Sequence, residues 1–306
     1  MSLRVFEPSY LFIDTRLEAF LGDRLSSVIA VVDGPLRVAL VLYVLLYGYA
    51  ILRGAISEPV MDFAVRSVKL AFLYALATTA AYSSVVTQPL FVDLPNALTQ
   101  AVSGSGTPNV GAAFDQFLAY AGYLSETVSQ EGSTFDLAPY IIAAAVLVIG
   151  ALACALGFGI VMVAKLALAL LVTLGPIFIA AALFDATRRY FFGWLSQAVN
   201  YLVLFALMIT IFQLVLSLVR DQWGAIEGAD PLVGGLIFIA LCLLGAIFFL
   251  QTPAIAAGVA GGASAGLADF AKAAALGSSR SGRASGPQDA ARQPPRGGGS
   301  IRPQDR

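Results

Sequence analysis

Pro139-Tyr-Ile-Ile-Ala-Ala-Ala-Val-Leu-Val-Ile-Gly150-Ala-Leu-Ala-Cys154-Ala-Leu-Gly-Phe-Gly-Ile-Val-Met-Val-Ala-Lys165-Leu-Ala-Leu-Ala-Leu-Leu-Val-Thr-Leu-Gly175-Pro176-Ile-Phe178-Ile-Ala-Ala-Ala-Leu-Phe184 is a run of 46 residues with a single charge, Lys165. About 20 apolar residues suffice to span a bilayer. As one α-helix the run would be roughly 69 Å long at about 1.5 Å per residue, against a hydrocarbon core of about 30 Å. It therefore crosses twice, crosses once and dips back, or extends well beyond the membrane. Behind it lies a polar and aromatic hinge, Asp185 to Trp194, and then a further apolar run, Leu195 to Val219.

The rest of the composition agrees with a polytopic membrane protein. The chain is 58% hydrophobic and 12% charged, with mean hydropathy +0.82. A soluble chain carries about twice that charge. The net charge of −1 hides an asymmetry, because residues 263–306 hold seven Lys/Arg and three Asp/Glu, leaving −5 on the remainder. Histidine is absent, which removes the usual metal ligand and proton shuttle and rules out Ser/His/Asp or Cys/His catalytic sets. Cys154 and Cys242 both lie inside apolar runs and read as buried free thiols. No Gly-Lys-Ser/Thr ending follows a glycine-rich loop, so the sequence shows no nucleotide site.

Residues 1–32 carry scattered charges and no uninterrupted apolar core, unlike a signal peptide. Tyr10, Ile13, Leu17, Leu21, Leu25, Val28 and Val32 recur at helical spacing and mark one face of an amphipathic helix. That helix lies in the membrane interface or packs on a partner outside the membrane. Pro35 stands where a new helix would begin, and Leu36–Leu52 and Leu70–Val86 read as the first two spans. Between residues 87 and 138 there are five acids and no Lys or Arg, with a flexible break at Ser103–Pro108. Val110, Phe114, Phe117, Ala121, Leu124 and Val128 give that loop a helical stripe of its own, which must pack on the loop, the membrane surface or another subunit.

Charge sets the expected orientation. Arg53–Lys69 holds three cations in 17 residues, against none in the 52-residue loop, so the positive-inside rule places the short loop in the cytoplasm and the long one outside. Arg188, Arg189 and the basic tail also favour the cytoplasm. All are satisfied if Pro139–Phe184 makes one net crossing, with Leu166–Phe184 re-entrant and broken at Leu174-Gly175-Pro176, where proline removes a backbone donor. The expectation is an all-α polytopic protein with about five crossings from six apolar segments, amino terminus outside and carboxyl terminus inside. Six crossings would leave the basic tail outside.

Leu174-Gly175-Pro176-Ile-Phe178, then Phe184, Thr187-Arg188, Phe191, Trp194-Leu195 and Asn200-Tyr201, resemble the core signature of the TrbL / VirB-six family, polytopic inner-membrane components of bacterial type IV secretion and conjugation machines. Pro253-Ala-Ile-Ala-Ala-Gly258-Val-Ala-Gly261-Gly262 is similar to that family's motif after the last span. Hydropathy, charge and composition divide the chain into a periplasmic or interfacial amphipathic helix over 1–34 and two spans with a short cytoplasmic loop over 35–86. A periplasmic loop over 87–138, a transmembrane core over 139–252, and a Gly/Ala-rich, then (from Gly277) disordered, basic cytoplasmic tail over 253–306 follow. This order of parts fits the family. The resemblance itself implies a non-enzymatic channel or platform subunit with no cofactor, forming a homo-oligomer. Its partners would be stalk or pilus subunits, bitopic inner-membrane subunits, cytoplasmic ATPases, membrane lipids and the transiting protein or DNA. Candidate path or assembly residues are Lys165, Gly175, Pro176, Phe178, Phe184, Thr187, Arg188, Trp194, Asn200, Pro253 and Gly258.

Several of these have plainer readings. Gly175–Pro176 forms a hinge or an ordinary kink, and Trp194 anchors at the headgroups or contacts a partner. Asn200 and Gln213 read as interhelical hydrogen bonds. Lys165 faces a bundle interior or a watery cavity, or else is paired or snorkels. A small-solute transporter and a scaffold without a conducting role remain alternatives.

Overall fold

A computed structural model describes residues 4–54, 60–79, 81–103, 109–132, 136–184, 186–228 and 230–279, with side chains described as far as Gly261, apart from those of 60, 62, 66 and 103. The elements are α1 (Phe6–Leu52), α2 (Val60–Thr78), a π-helical segment (Ser83–Asp93), α3 (Leu94–Ser103), α4 (Val110–Gln130), α5 (Ala138–Ala181), α6 (Arg188–Gly228) and α7 (Pro231–Ser279). Residues 1–266 form one compact unit and 267–306 another; in the second, helical backbone runs to Ser279. Of the stretch expected to be disordered, 277–306, residues 280–306 lie outside the described residues, while Gly277–Ser279 are helical. Of the break expected at Ser103–Pro108, residues 104–108 lie outside them and Ser103 ends α3.

Among the described residues, four helices are long and apolar enough to cross a membrane: α1, α5, α6 and Pro231–Gly261 of α7. A fifth arises if the pair Phe63–Thr78 and Ser83–Val102, bent by 57°, counts as one span.

The deciding run folds as one helix. With 44 residues, α5 is about 66 Å long and serves as the axis on which α1, α2, the π-helical segment, α4 and α6 all pack. The expected break at Leu174-Gly175-Pro176 is absent, because Pro176 sits inside α5 and a neighbouring side chain satisfies the carbonyl it orphans. A second proline expectation is also corrected. Residues 1–34 and 36–52 are not separate helices, since α1 runs unbroken through Pro35. Gly34 has no neighbour where a Cβ would stand and Pro35 is exposed, so nothing packed there forces the helix apart.

Around the amino-terminal half of α5 the packing is aromatic. Phe114 and Phe117 of α4, Phe212 of α6, and Phe238 and Phe249 of α7 are all buried in one cluster. The rings of Phe114 and Phe212 lie 4.0 Å apart, centroid to centroid. Lipid tails are as apolar as these side chains, so close packing rather than exclusion of water holds such helices together. Small residues permit it: a Cβ on Gly150 would stand 2.9 Å from that of Ala121, and one on Gly157 would meet Phe114 and Phe249 at 3.0 Å. The stripe on α4 therefore packs into the chain's own bundle, a destination the sequence did not single out. Around the carboxyl-terminal half of α5, Leu17, Leu21 and Leu25 of α1 join Tyr82, Phe91, Leu168, Val172 and Ile179 in a second cluster. The amphipathic face of residues 10–32 thus covers α5.

Candidate functional site: a lysine clamp and a proline notch on one helix

Lys165 lies on α5 with only 3% of its surface exposed. Its ammonium pairs with the Asp14 carboxylate of α1 and donates to the Tyr10 hydroxyl at 3.0 Å. The same nitrogen sits 4.8 Å from the Tyr10 ring centroid and 5.4 Å from that of Phe91 in the π-helical segment. A desolvated cation over aromatic faces gains about 2 kcal/mol or more. Burying a lone charge costs several kcal/mol, so the carboxylate and hydroxyl are what make this position tenable. Of the readings open to Lys165, the structure selects pairing. Tyr10 and Asp14 are four residues apart on one helical face, so both reach the same cation.

A second carboxylate fixes the start of α1. Asp115 of α4 is buried and accepts the backbone amides of Val5 and Phe6, each at 2.8 Å, and of Glu7 at 2.9 Å. These are among the amides a helix start leaves without partners, and a negative charge there also meets the positive end of the helix dipole. Gly111 makes the approach possible, because a Cβ on it would stand 2.7 Å from Glu7 Cα.

Nearly three turns beyond Lys165, Gly175 opens a notch in α5. The hydroxyl of buried Tyr82, at the head of the π-helical segment, enters it and donates to the Val172 carbonyl at 2.6 Å. Trp194 of α6 reaches the same notch, its indole N–H donating to the Leu171 carbonyl at 2.8 Å. A Cβ on Gly175 would lie 1.8 Å from the Tyr82 oxygen and 3.1 Å from the Trp194 ring. Phe178 stacks on Trp194 with ring centroids 6.2 Å apart. Gly175, Pro176, Phe178 and Trp194 thus form one joint between α5 and α6, with Tyr82 as its missing member.

The remaining candidates are dispersed. Phe184 meets Tyr43 of α1 edge-on at 6.1 Å. The Thr187 hydroxyl donates to the Ala181 carbonyl at 2.7 Å and so ties off the end of α5. The Arg188 guanidinium lies 5.3 Å from the Phe192 ring centroid. Asn200 departs from expectation: its side-chain oxygen is buried with no hydrogen-bond partner among the described residues. Pro253 and Gly258 lie exposed on α7 and join neither the clamp nor the notch. Among the described residues no group of three or more Cys, Asp or Glu is placed to hold a metal ion.

The sequence model of the TrbL/VirB6 plasmid conjugal transfer proteins matches residues 40–252, more than two-thirds of the chain. The chain belongs to the TrbL/VirB6 family. It is similar to two proteins named type IV secretion system protein VirB6. The one from Bartonella quintana (strain Toulouse) is 27% identical over 276 residues, covering 85% of this chain and 81% of the relative. The one from Bartonella henselae (strain ATCC 49882 / DSM 28221 / CCUG 30454 / Houston 1) is 27% identical over 271 residues, with the same coverage. This TrbL/VirB6 protein is accordingly a multi-pass inner-membrane subunit of a type IV secretion system. The notch residues Tyr82, Gly175, Pro176 and Trp194 fall inside the matched region, whereas Tyr10 and Asp14 of the clamp precede it.

Tyr10, Asp14, Tyr82, Phe91 and Asp115 are the site residues that sequence reasoning did not select. For Asp14 a signal existed: an acid one turn from Tyr10 on an apolar stripe, in a chain whose longest apolar run contains one lysine. Nothing comparable marks Tyr82 or Asp115.

Proposed function

We propose that this chain is a non-enzymatic channel and platform subunit of its secretion system, through which protein or DNA passes and on which the stalk or pilus is built. The observation that carries this reading is the family match over the apolar core, residues 40–252. The geometry supports it: the conspicuous polar groups of the core, Lys165, Asp14, Asp115, Tyr82 and Trp194, join one helix to another. Copies of the chain assemble with one another, with periplasmic stalk and bitopic subunits and with cytoplasmic ATPases, the carboxyl terminus facing the cytoplasm. Deleting the gene should stop substrate transfer and pilus or stalk assembly together, and intact transfer would overturn the proposal.

A scaffold that holds other subunits without touching substrate is favoured by one observation, the internal pairing of Lys165. Cysteines introduced at Phe178 or Ala181, both partly exposed, separate the two readings. Crosslinking of a stalled substrate there identifies a conduit wall; capture of neighbouring subunits alone identifies a scaffold. The transporter reading, motivated by a broken segment and by Lys165, loses the first of these supports, since α5 is unbroken at Gly175–Pro176.

A further inference from the structure

Pro176 marks the place where α5 ought to break and does not. In an α-helix the carbonyl of residue 172 accepts the amide of residue 176, and proline has no amide hydrogen. The Val172 carbonyl is therefore orphaned inside a buried cluster, where water cannot reach it and an unmet polar group is costly. The Tyr82 hydroxyl occupies the position of the lost donor, 2.6 Å from that oxygen. It gets there only because residue 175 is glycine, since a Cβ would stand 1.8 Å from the phenolic oxygen. Proline creates the vacancy, glycine opens the way in, and a tyrosine 90 residues earlier fills it.

We propose that Tyr82 is a positioning residue that replaces the amide missing from Pro176, so that its hydroxyl decides whether α5 runs straight through Leu174–Phe178 or bends there. Without the hydroxyl, the Val172 carbonyl can find a donor only if the helix opens at the proline. Phe178, Phe184 and the turn into α6 move with that opening. Tyr82 lies in the short break between Phe63–Thr78 and Ser83–Val102, which are bent by 57°. A displacement of that break relative to α5 is then passed to the α5–α6 turn through one hydrogen bond. The device holds whether or not the chain lines a conduit.

The test uses full-length protein with Cys154 and Cys242 replaced by alanine and spin labels at exposed Leu156 and Tyr190, one on each side of the notch. The parent should give one narrow distance distribution by electron–electron resonance. Tyr82→Phe keeps the ring and removes the donor, and should add a second, displaced component. One hydrogen bond changes the ratio of bent to straight forms by up to about tenfold. Tyr82→Phe combined with Pro176→Ala restores a backbone amide opposite Val172 and should return the single distribution; Pro176→Ala alone should match the parent. An unchanged distribution in Tyr82→Phe overturns the proposal, and so does failure of Pro176→Ala to restore it, which would mean that Tyr82 acts by packing. If Tyr82→Phe does not fold, the double variant must; loss of both also overturns it. Substrate transfer should fall in Tyr82→Phe and recover in the double variant, a reversal that a general loss of stability would not produce.

Discussion

Lys165 and Asp14 are 151 residues apart in sequence and in direct contact in the fold, where they join α5 to the first helix of the chain. Lys165 is almost wholly buried, while Asp14 keeps 24% of its side chain exposed. Removing one partner should therefore cost more than removing both. Lys165→Met should destabilise the protein by about 3 kcal/mol, the lower end for a broken buried pair. Lys165→Met with Asp14→Asn should recover most of that loss. Thermal unfolding of the detergent-solubilised variants checks the order.

Gly175 and Gly159 lie on the same helix with opposite surroundings, which makes them a matched pair. A methyl at Gly175 collides with Tyr82, whereas nothing lies within 4 Å of the position at Gly159. Gly175→Ala should cost about 1–3 kcal/mol as overpacking. Gly159→Ala should be neutral or stabilising by up to about 1 kcal/mol through helix propensity. Unfolding midpoints of the two variants should move in opposite directions, or only the first should move.

Asp115 anchors the start of α1 through three amides. Asp115→Ala should leave those donors unmet at about 2 kcal/mol and let the first turn open. Hydrogen–deuterium exchange should quicken over residues 5–9, and less so beyond Lys165's contact with Asp14, which still holds the next turns.

The proposed orientation is testable with reporters. Green fluorescent protein fused after Arg306 should fluoresce and alkaline phosphatase fused there should be inactive, since the seven cations of residues 263–306 favour the cytoplasmic side. Active phosphatase would reverse the arrangement.

Much of this protein could be read without coordinates, and the readable part is local. Hydropathy made the chain a helical membrane protein, because the length of an apolar run and the thickness of a bilayer are directly comparable. Helical spacing picked out the buried faces of α1 and α4, including Tyr10, Leu21, Phe114 and Val128, because periodicity belongs to one helix at a time. The run from Leu174 to Tyr201 pointed to the family, to which the chain belongs.

What failed were inferences needing to know what stands opposite a residue. Pro35 and Pro176 look like breaks in sequence, yet whether a proline breaks a helix depends on what becomes of the carbonyl four residues earlier, and for Pro176 that is a hydroxyl from Tyr82. The stripe on α4 had no visible destination because α5, α6 and α7 are brought to it only by the fold. Lys165 was conspicuous as an intramembrane charge, but its choice between cavity, interface and pair was made by Asp14. A sequence specifies which groups must find partners; only the packed bundle, by bringing distant helices within hydrogen-bonding reach, decides which partners they find.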